Sequence, residues 1–142
     1  MAEQFQNSTD FSIKSIAIAR VGETKGYDIK QMVNSFSYIE NVASPFVAAT
    51  MLVVDSAGFM NDLPIQGGET VVVTVQTSIS SEPQEYQLSV WRIANRGTQG
   101  KAQVYTLGLT SVEALNNECV RLAKPLSGKP DDIIKKMLRE TS

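Results

Sequence analysis

Four carboxylates near predicted loops could form the acid and base pair of a glycoside hydrolase: Glu40, Asp55, Asp62 and Glu69. Such an enzyme needs one protonated carboxyl group for the leaving group and one ionised carboxylate as base or nucleophile. A chain with 15 acidic residues offers many such pairs, and nothing in the spacing selects two of the four. A carboxylate-based hydrolase is therefore the third of three functional hypotheses.

The sequence lacks the residues that most other active sites require. It has no histidine and one cysteine, which excludes histidine general-base catalysis, Ser–His and Cys–His dyads and internal disulfides, and disfavours zinc sites. Cys119 lies between Glu118 and Val120, a setting that does not favour a reactive thiolate, and we interpret it as a buried residue. No glycine-rich phosphate loop precedes a helix. We therefore expect no catalytic residue, cofactor or metal.

Charge argues against general nucleic-acid binding. Thirteen basic and 15 acidic residues give a net charge of -2, too balanced to attract phosphates at long range. Residues 1–119 hold 7 basic and 12 acidic groups, and residues 120–142 hold 6 basic and 3 acidic groups. The basic end is interpreted as a solvated helix face.

The elements that position these residues are mostly strands, because apolar residues alternate with polar ones along much of the chain. The pattern predicts a mainly β fold, a barrel or sandwich of about six strands, with one or two short helices. A slip in the alternation near Ser15 predicts a β-bulge in the first strand. The third strand is apolar on both faces and is expected to be covered on both sides. The predicted strands are Phe11–Ile18, Met32–Asn41, Phe46–Val54, Thr70–Thr77, Glu85–Ala94 and Gln103–Thr110.

Two loops between predicted strands matter for function. The 13-residue connection 56–68 is long for a compact domain, and its large apolar residues would leave an exposed patch on a lone monomer. They are the predicted subunit interface: Phe59, Met60, Leu63 and Ile65. The polar stretches 78–84 and 95–101 are predicted hairpin loops.

The end of the chain is predicted to be helical. Ser111 is a suitable N-cap for a short helix over 111–117. Pro130, two early acids and later cations predict a helix over 130–140. Its apolar stripe is expected to pack on the sheet or on material outside this chain, and it consists of Ile133, Ile134, Met137 and Leu138.

A ligand-binding β module is the second hypothesis, for a carbohydrate or single-stranded nucleic acid. Tyr86, Trp91 and Tyr105 lie on neighbouring predicted strands, where aromatic rings could stack on bases. The β region has more acidic than basic residues, which argues against a nucleic-acid groove. Arg92 and Arg96 alone would supply little positive charge for such a groove. Trp91 is better explained as a core or interface residue.

An order of features points to the leading hypothesis. Tyr105-Thr106-Leu107-Gly108-Leu109 runs into Ser111, Glu113, Leu115 and Asn116, then Pro125 and the helix Asp131–Leu138, after Leu63–Glu69 and a valine-rich strand. This order resembles the N-terminal part of the baseplate hub proteins of contractile-tailed bacteriophages. The likeness covers residues 11–140 and rests on soft patterns, without a catalytic signature.

The resemblance implies a tube-type β-barrel over 11–110, after a polar tail over 1–10. A C-terminal helical segment over 111–142 would pack on the barrel or lead to a further domain. It implies a structural virion protein, not an enzyme, that forms a trimeric or hexameric ring with copies of itself. Expected partners are the tail tube, the central spike and baseplate wedge proteins, around a channel that passes genomic DNA without specific binding.

The family's hub proteins are usually longer, with a second tube domain, so one excised domain or a compact relative is expected. The N-terminus has no signal-peptide pattern, and no apolar run approaches the roughly 20 residues needed to span a bilayer. The expected location is the host cytoplasm during assembly and then the tail baseplate, without membrane insertion.

Overall fold

The computed structural model describes residues 7, 10–80, 82–121 and 125–140. It is mainly β, with 47% of residues in strands and three short helices. The helices are α1 (Phe59–Asp62), α2 (Val112–Cys119) and α3 (Pro130–Glu140). The strands are β1 (Phe11–Ala19), β2 (Tyr27–Asp28), β3 (Val33–Ile39), β4 (Ala48–Asp55), β5 (Thr70–Thr77), β6 (Gln84–Gln99) and β7 (Ala102–Thr110).

The seven strands form one antiparallel sheet in the order β2-β1-β5-β6-β7-β4-β3. The sheet curls into a half-barrel. Its curl brings the rings of Tyr38 on β3 and Tyr86 on β6 within 4.7 Å, although two strands separate them in the sheet. The predicted mainly β, barrel-like fold is confirmed.

Each of the six predicted strands is present, and the two-residue β2 adds a seventh. The predicted bulge is confirmed by a register shift between Ile13 and Ser15. The predicted loop over 95–101 is wrong, because β6 continues to Gln99 and turns only at Gly100. A second register shift between Ala94 and Gly97, with Asn95 at φ 52°, breaks the alternation there without ending the strand.

The core lies on the inner, concave face of the sheet. Ile18, Met51, Val73, Val90 and Leu107 are almost fully buried on neighbouring strands. The prediction that the strand over 46–54 is covered on both sides is wrong. Alternate residues of β4 are buried, while those between them are exposed or half-buried, because one sheet has no second layer over its outer face.

The connection 56–69 closes the open side of the half-barrel. Met60, Leu63 and Ile65 are only 7%, 2% and 8% exposed and belong to the core, and Phe59 is half-buried against it. The expectation that these four residues form an exposed patch on the monomer is wrong. A half-barrel leaves its inner face uncovered on one side, and these apolar side chains fill that opening.

The helices differ in their packing. α2 packs beside β6 and extends two residues beyond its predicted end. The expectation of a buried Cys119 is wrong, since the residue is exposed at the end of α2. In α3, Ile134 is 57% exposed, and the helix has no extensive contact with the described part of the sheet. Among the described residues, no helix is long and apolar enough to cross a membrane.

Candidate assembly surface

Asp55, one of the four candidate catalytic carboxylates, is a buried cap for the following turn. Its Oδ1 accepts hydrogen bonds from the backbone N–H groups of Ala57 and Phe59 at 3.1 and 2.9 Å, and Oδ2 accepts one from Met60 at 2.9 Å. Burial disfavours the charged carboxylate, but the backbone hydrogen bonds outweigh burial and lower the pKa of Asp55. Burial and the nearby Asp55 charge raise the pKa of Tyr105 to about 12.

Glu69 holds the other end of the same connection. It is 4% exposed, and its two oxygens accept hydrogen bonds from the N–H groups of Gln66 at 2.6 Å and Gly67 at 2.9 Å. Asp55 and Glu69 therefore fix both ends of the segment that fills the half-barrel. Carboxylates bound in this way hold a loop in place and have little freedom to exchange protons with a substrate.

The other two candidate carboxylates are exposed and lie in different elements. Glu40 follows β3, and Asp62 ends α1. Among the described residues, no three acidic or cysteine side chains cluster so that they could hold a metal ion. The structure shows a supporting role for two of the four residues and no acid and base pair involving them.

The outer face of the sheet is a candidate surface for contact with another molecule. It is formed by strand positions that alternate with the core residues, and the charged residues among these paired positions of the described chain are Asp28 of β2 and Glu85 and Arg92 of β6. Charged residues make up 20% of the chain. Small and β-branched side chains dominate this face, including Ala48, Thr50, Leu52 and Val54 of β4, Val104, Thr106 and Thr110 of β7, and Ala17, Val72 and Thr74.

Trp91 stands on this outer face because it directly follows the core residue Val90, and the β-bulge after Val90 places Arg92 on the same face. The register shifts between Val90 and Arg92, so that Trp91 and Arg92 both face Gly108 of β7. A Cβ atom at Gly108 would lie 3.0 Å from Trp91 Nε1, which shows that the indole rests directly on the glycine. The Arg92 guanidinium carbon lies 4.8 Å from the centre of the indole ring. Trp91 is nevertheless 51% exposed.

A groove of about 460 Å³ opens between Trp91, the start of β4 and helix α2. Phe46, Val47, Ala114 and Leu115 supply most of its apolar wall, and Glu118 is its one charged lining residue among the described residues. The Thr110 hydroxyl at its edge already donates to the Val47 carbonyl oxygen at 2.9 Å. The groove thus offers apolar area and few free polar groups that could orient a small molecule.

Both edges of the sheet leave backbone hydrogen-bonding groups available. β3 is the last strand on one side, and its sequence from Val33 to Ile39 contains neither proline nor a charged residue. On the other side β2 pairs with β1 only at Ala17 and Ile18, so residues 11–15 have no strand beyond them in the described chain. The β3 edge is a template for pairing with another chain, whereas the β1 edge is partly protected by its bulge and by Lys14, whose carbonyl oxygen accepts a hydrogen bond from Lys30 Nζ at 3.2 Å.

The three aromatic residues considered for base stacking do not share a surface. Tyr105 is 1% exposed in the core, Tyr86 packs against Tyr38 on the inner side, and Trp91 lies on the outer face. These three residues therefore do not form a row of aromatic rings along one groove on which bases could stack. Alternation predicted the strands, but it missed the bulge that places Arg92 beside Trp91 on the outer face.

Comparison with known proteins adds no assignment: no protein-family model matches the chain, and no curated protein matches it.

Proposed function

We propose that this chain is a structural component of a phage contractile tail, a tube-type ring protein of the baseplate hub that links the tail tube to the central spike. The observation that carries the proposal is a curled β-sheet with an edge strand, β3, that has neither proline nor charge, and with an outer face that has few charges. A ring of such chains can pair sheet edges between neighbours and cover outer faces by packing. The order of sequence features that resembles the hub family supports the same role.

Charge supports a channel role in a limited way. Asp55 and Glu69 contribute to the acidic balance of residues 1–119, but both are buried and tied to backbone N–H groups. The repulsion of DNA must therefore come from exposed acids such as Glu23, Glu82 and Glu85. A channel wall with few cations lets DNA pass without holding its phosphates.

The test is electron microscopy and native mass spectrometry of the full chain, alone and with isolated tail tubes. We expect closed rings of three or six copies, or capping of tube ends by the chain. A chain that stays strictly monomeric at high concentration and binds no tube would overturn the proposal.

A ligand-binding module is the second candidate, favoured by the half-exposed Trp91 in its groove. Aromatic rings stack on the apolar faces of sugars, and the groove volume lies within the ordinary range for ligand pockets. Two features weigh against this role: Arg92 already lies close to the ring, and the walls offer few free hydrogen-bonding groups. Titration of Trp91 fluorescence with a panel of soluble glycans tests it.

A further inference from the structure

We propose that the groove beside Trp91 receives helix α3 of a second copy of this chain, so that neighbouring copies exchange their C-terminal helices head to tail. This inference rests on the proposed self-assembly and names one contact that carries it. The groove is the receiving site, with Trp91, Phe46 and Leu115 on its walls. The inserted surface is the apolar stripe of α3, represented by Ile133 and Ile134.

The groove and its surroundings expose large apolar side chains to solvent. Trp91 is 51% exposed, and the neighbouring Ile39 and Val42 at the end of β3 are 60% and 108% exposed. The hollow beneath Val42, which Glu40 and Asn41 also line, shares Phe46 and Val47 with the groove, so apolar side chains extend from the groove towards Val42. Continuous apolar patches on a protein surface mark sites of association.

Helix α3 presents a surface that fits this groove. Acids at its start and a cation in its last turn follow the helix dipole, which favours the helical conformation of this segment. Ile134 is 57% exposed, and Ile133 faces only a small hollow beside Pro125 and Leu126. The volume of the groove, about 460 Å³, is about three times that of a cavity that holds benzene, enough for two or three aliphatic side chains.

Charge favours the same pairing. α2, which forms one wall of the groove, carries Glu113 and Glu118 and no cation. Residues 120–142 hold 6 basic and 3 acidic groups, and Lys136 flanks the apolar stripe of α3. Docking would bring cations of the incoming segment near the acidic wall, which favours association and selects the orientation of the helix.

A second copy is the occupant because a single chain leaves both its groove and the apolar side of its α3 exposed to solvent. In the folded chain the groove is open while Ile134 of its own α3 is exposed to solvent. An exchange between copies covers one groove and one helix in every subunit. When each copy passes its helix to the next copy, and does not receive a helix back from that same copy, the contact is heterologous and can close into a ring; a reciprocal exchange would give a two-fold dimer instead.

Trp91 is the chain's single tryptophan, so its fluorescence reports directly on the groove. We expect its emission to move to shorter wavelength as the concentration of the full chain rises, because the docked helix excludes water from the indole. The I134S variant should lose this shift. R139K is the matched control, because Arg139 lies on the opposite face of α3 and lysine keeps the cation of the last turn, so this variant should keep the shift.

Mixing two variants separates exchange between copies from docking of a chain's own helix. W91F is non-fluorescent in the tryptophan band but keeps α3, and I134S keeps Trp91 but has a damaged helix. Adding W91F to I134S should shift the emission of the I134S tryptophan, whereas adding the double variant W91F/I134S should not. No response to W91F, with a concentration-independent shift in the wild type, would show docking of the chain's own helix and overturn the proposal.

Sedimentation of the same samples distinguishes this inference from the proposed function. Oligomers that form without any change in Trp91 emission would overturn the helix exchange and leave ring assembly standing. A strict monomer at every concentration would overturn both.

Discussion

Asp55 shows how a residue type can suggest chemistry while its surroundings give it a structural task. We expect Asp55→Asn to lower the free energy of unfolding by about 2 to 4 kcal/mol, because hydrogen bonds from three backbone N–H groups lose their charged acceptor. Urea denaturation measures the loss. Asp62→Asn is the control, since that side chain is exposed on α1, and its effect should stay within about 0.5 kcal/mol. Equal losses in the two variants would contradict the capping role.

The lowered pKa of Asp55 makes its contribution to the free energy of unfolding depend on pH. Because backbone hydrogen bonds lower the pKa of the folded state despite burial, ionised Asp55 stabilises the fold above the unfolded-state pKa. That stability is lost as the pH falls through the lower folded-state pKa. The stability difference between wild type and Asp55→Asn should therefore be constant near neutrality and shrink in strong acid. Urea denaturation across acidic pH measures it, and a difference that persists at low pH would contradict this assignment.

At the scale of one element, the bulge in β6 depends on a glycine in the strand beside it. We expect Gly108→Val to push the indole of Trp91 away from β7, because even a Cβ atom there would lie 3.0 Å from Nε1. Overpacking of this kind costs about 1 to 3 kcal/mol. Acrylamide quenching should show a more accessible Trp91, and thermal unfolding should show the lower stability.

Gly97 in β6 provides the matched control for this change. A Cβ atom at Gly97 would have no atom within 4 Å, and its φ is not positive, so a valine fits there without strain. Gly97→Val should leave both quenching and stability near wild type. A similar response from the two glycines would mean that Gly108 has no special role beneath Trp91.

The elements were predictable where alternation is regular and were missed where bulges interrupt it. Alternating valines identified β5, and the slip near Ser15 identified the bulge in β1. For residues 95–99 at the end of β6, the sequence pattern predicts a loop, because these residues are polar and a bulge interrupts the alternation of apolar and polar residues. Arg92 reaches the outer face through the same kind of shift. Period-2 patterns do not encode where an extra residue is inserted.

For the whole molecule, sequence alone could not show which apolar residues close the core. The sequence pattern predicts that Met60, Leu63 and Ile65 are exposed, but they are buried. Alternation predicts the strands of a sheet and does not predict how the sheet curls. Once the sheet curls into a half-barrel, its open side must be filled, and this connection fills it. The candidate interface therefore moves from these residues to the outer face, the strand edges and the Trp91 groove.

The last prediction concerns the outer face as an assembly surface. Thr50 lies exposed near the middle of β4, on a face with very few charges. We expect Thr50→Glu to weaken self-association at least tenfold, because packing against a neighbour would desolvate the new carboxylate without a partner. The monomer should fold normally, since the side chain faces away from the core. Sedimentation velocity over a concentration series measures the association.

Thr24→Glu adds the same charge in the exposed segment between β1 and β2, outside the strands that form the outer face. It makes the net charge of the chain more negative by the same one unit, so it separates local burial from general electrostatic repulsion. If Thr24→Glu weakens association as strongly as Thr50→Glu, the effect comes from net charge, and the outer face is not the surface through which copies meet. Association that survives Thr50→Glu unchanged would restrict the contact to the strand edges and the Trp91 groove, because only those surfaces would then remain to join one copy to the next.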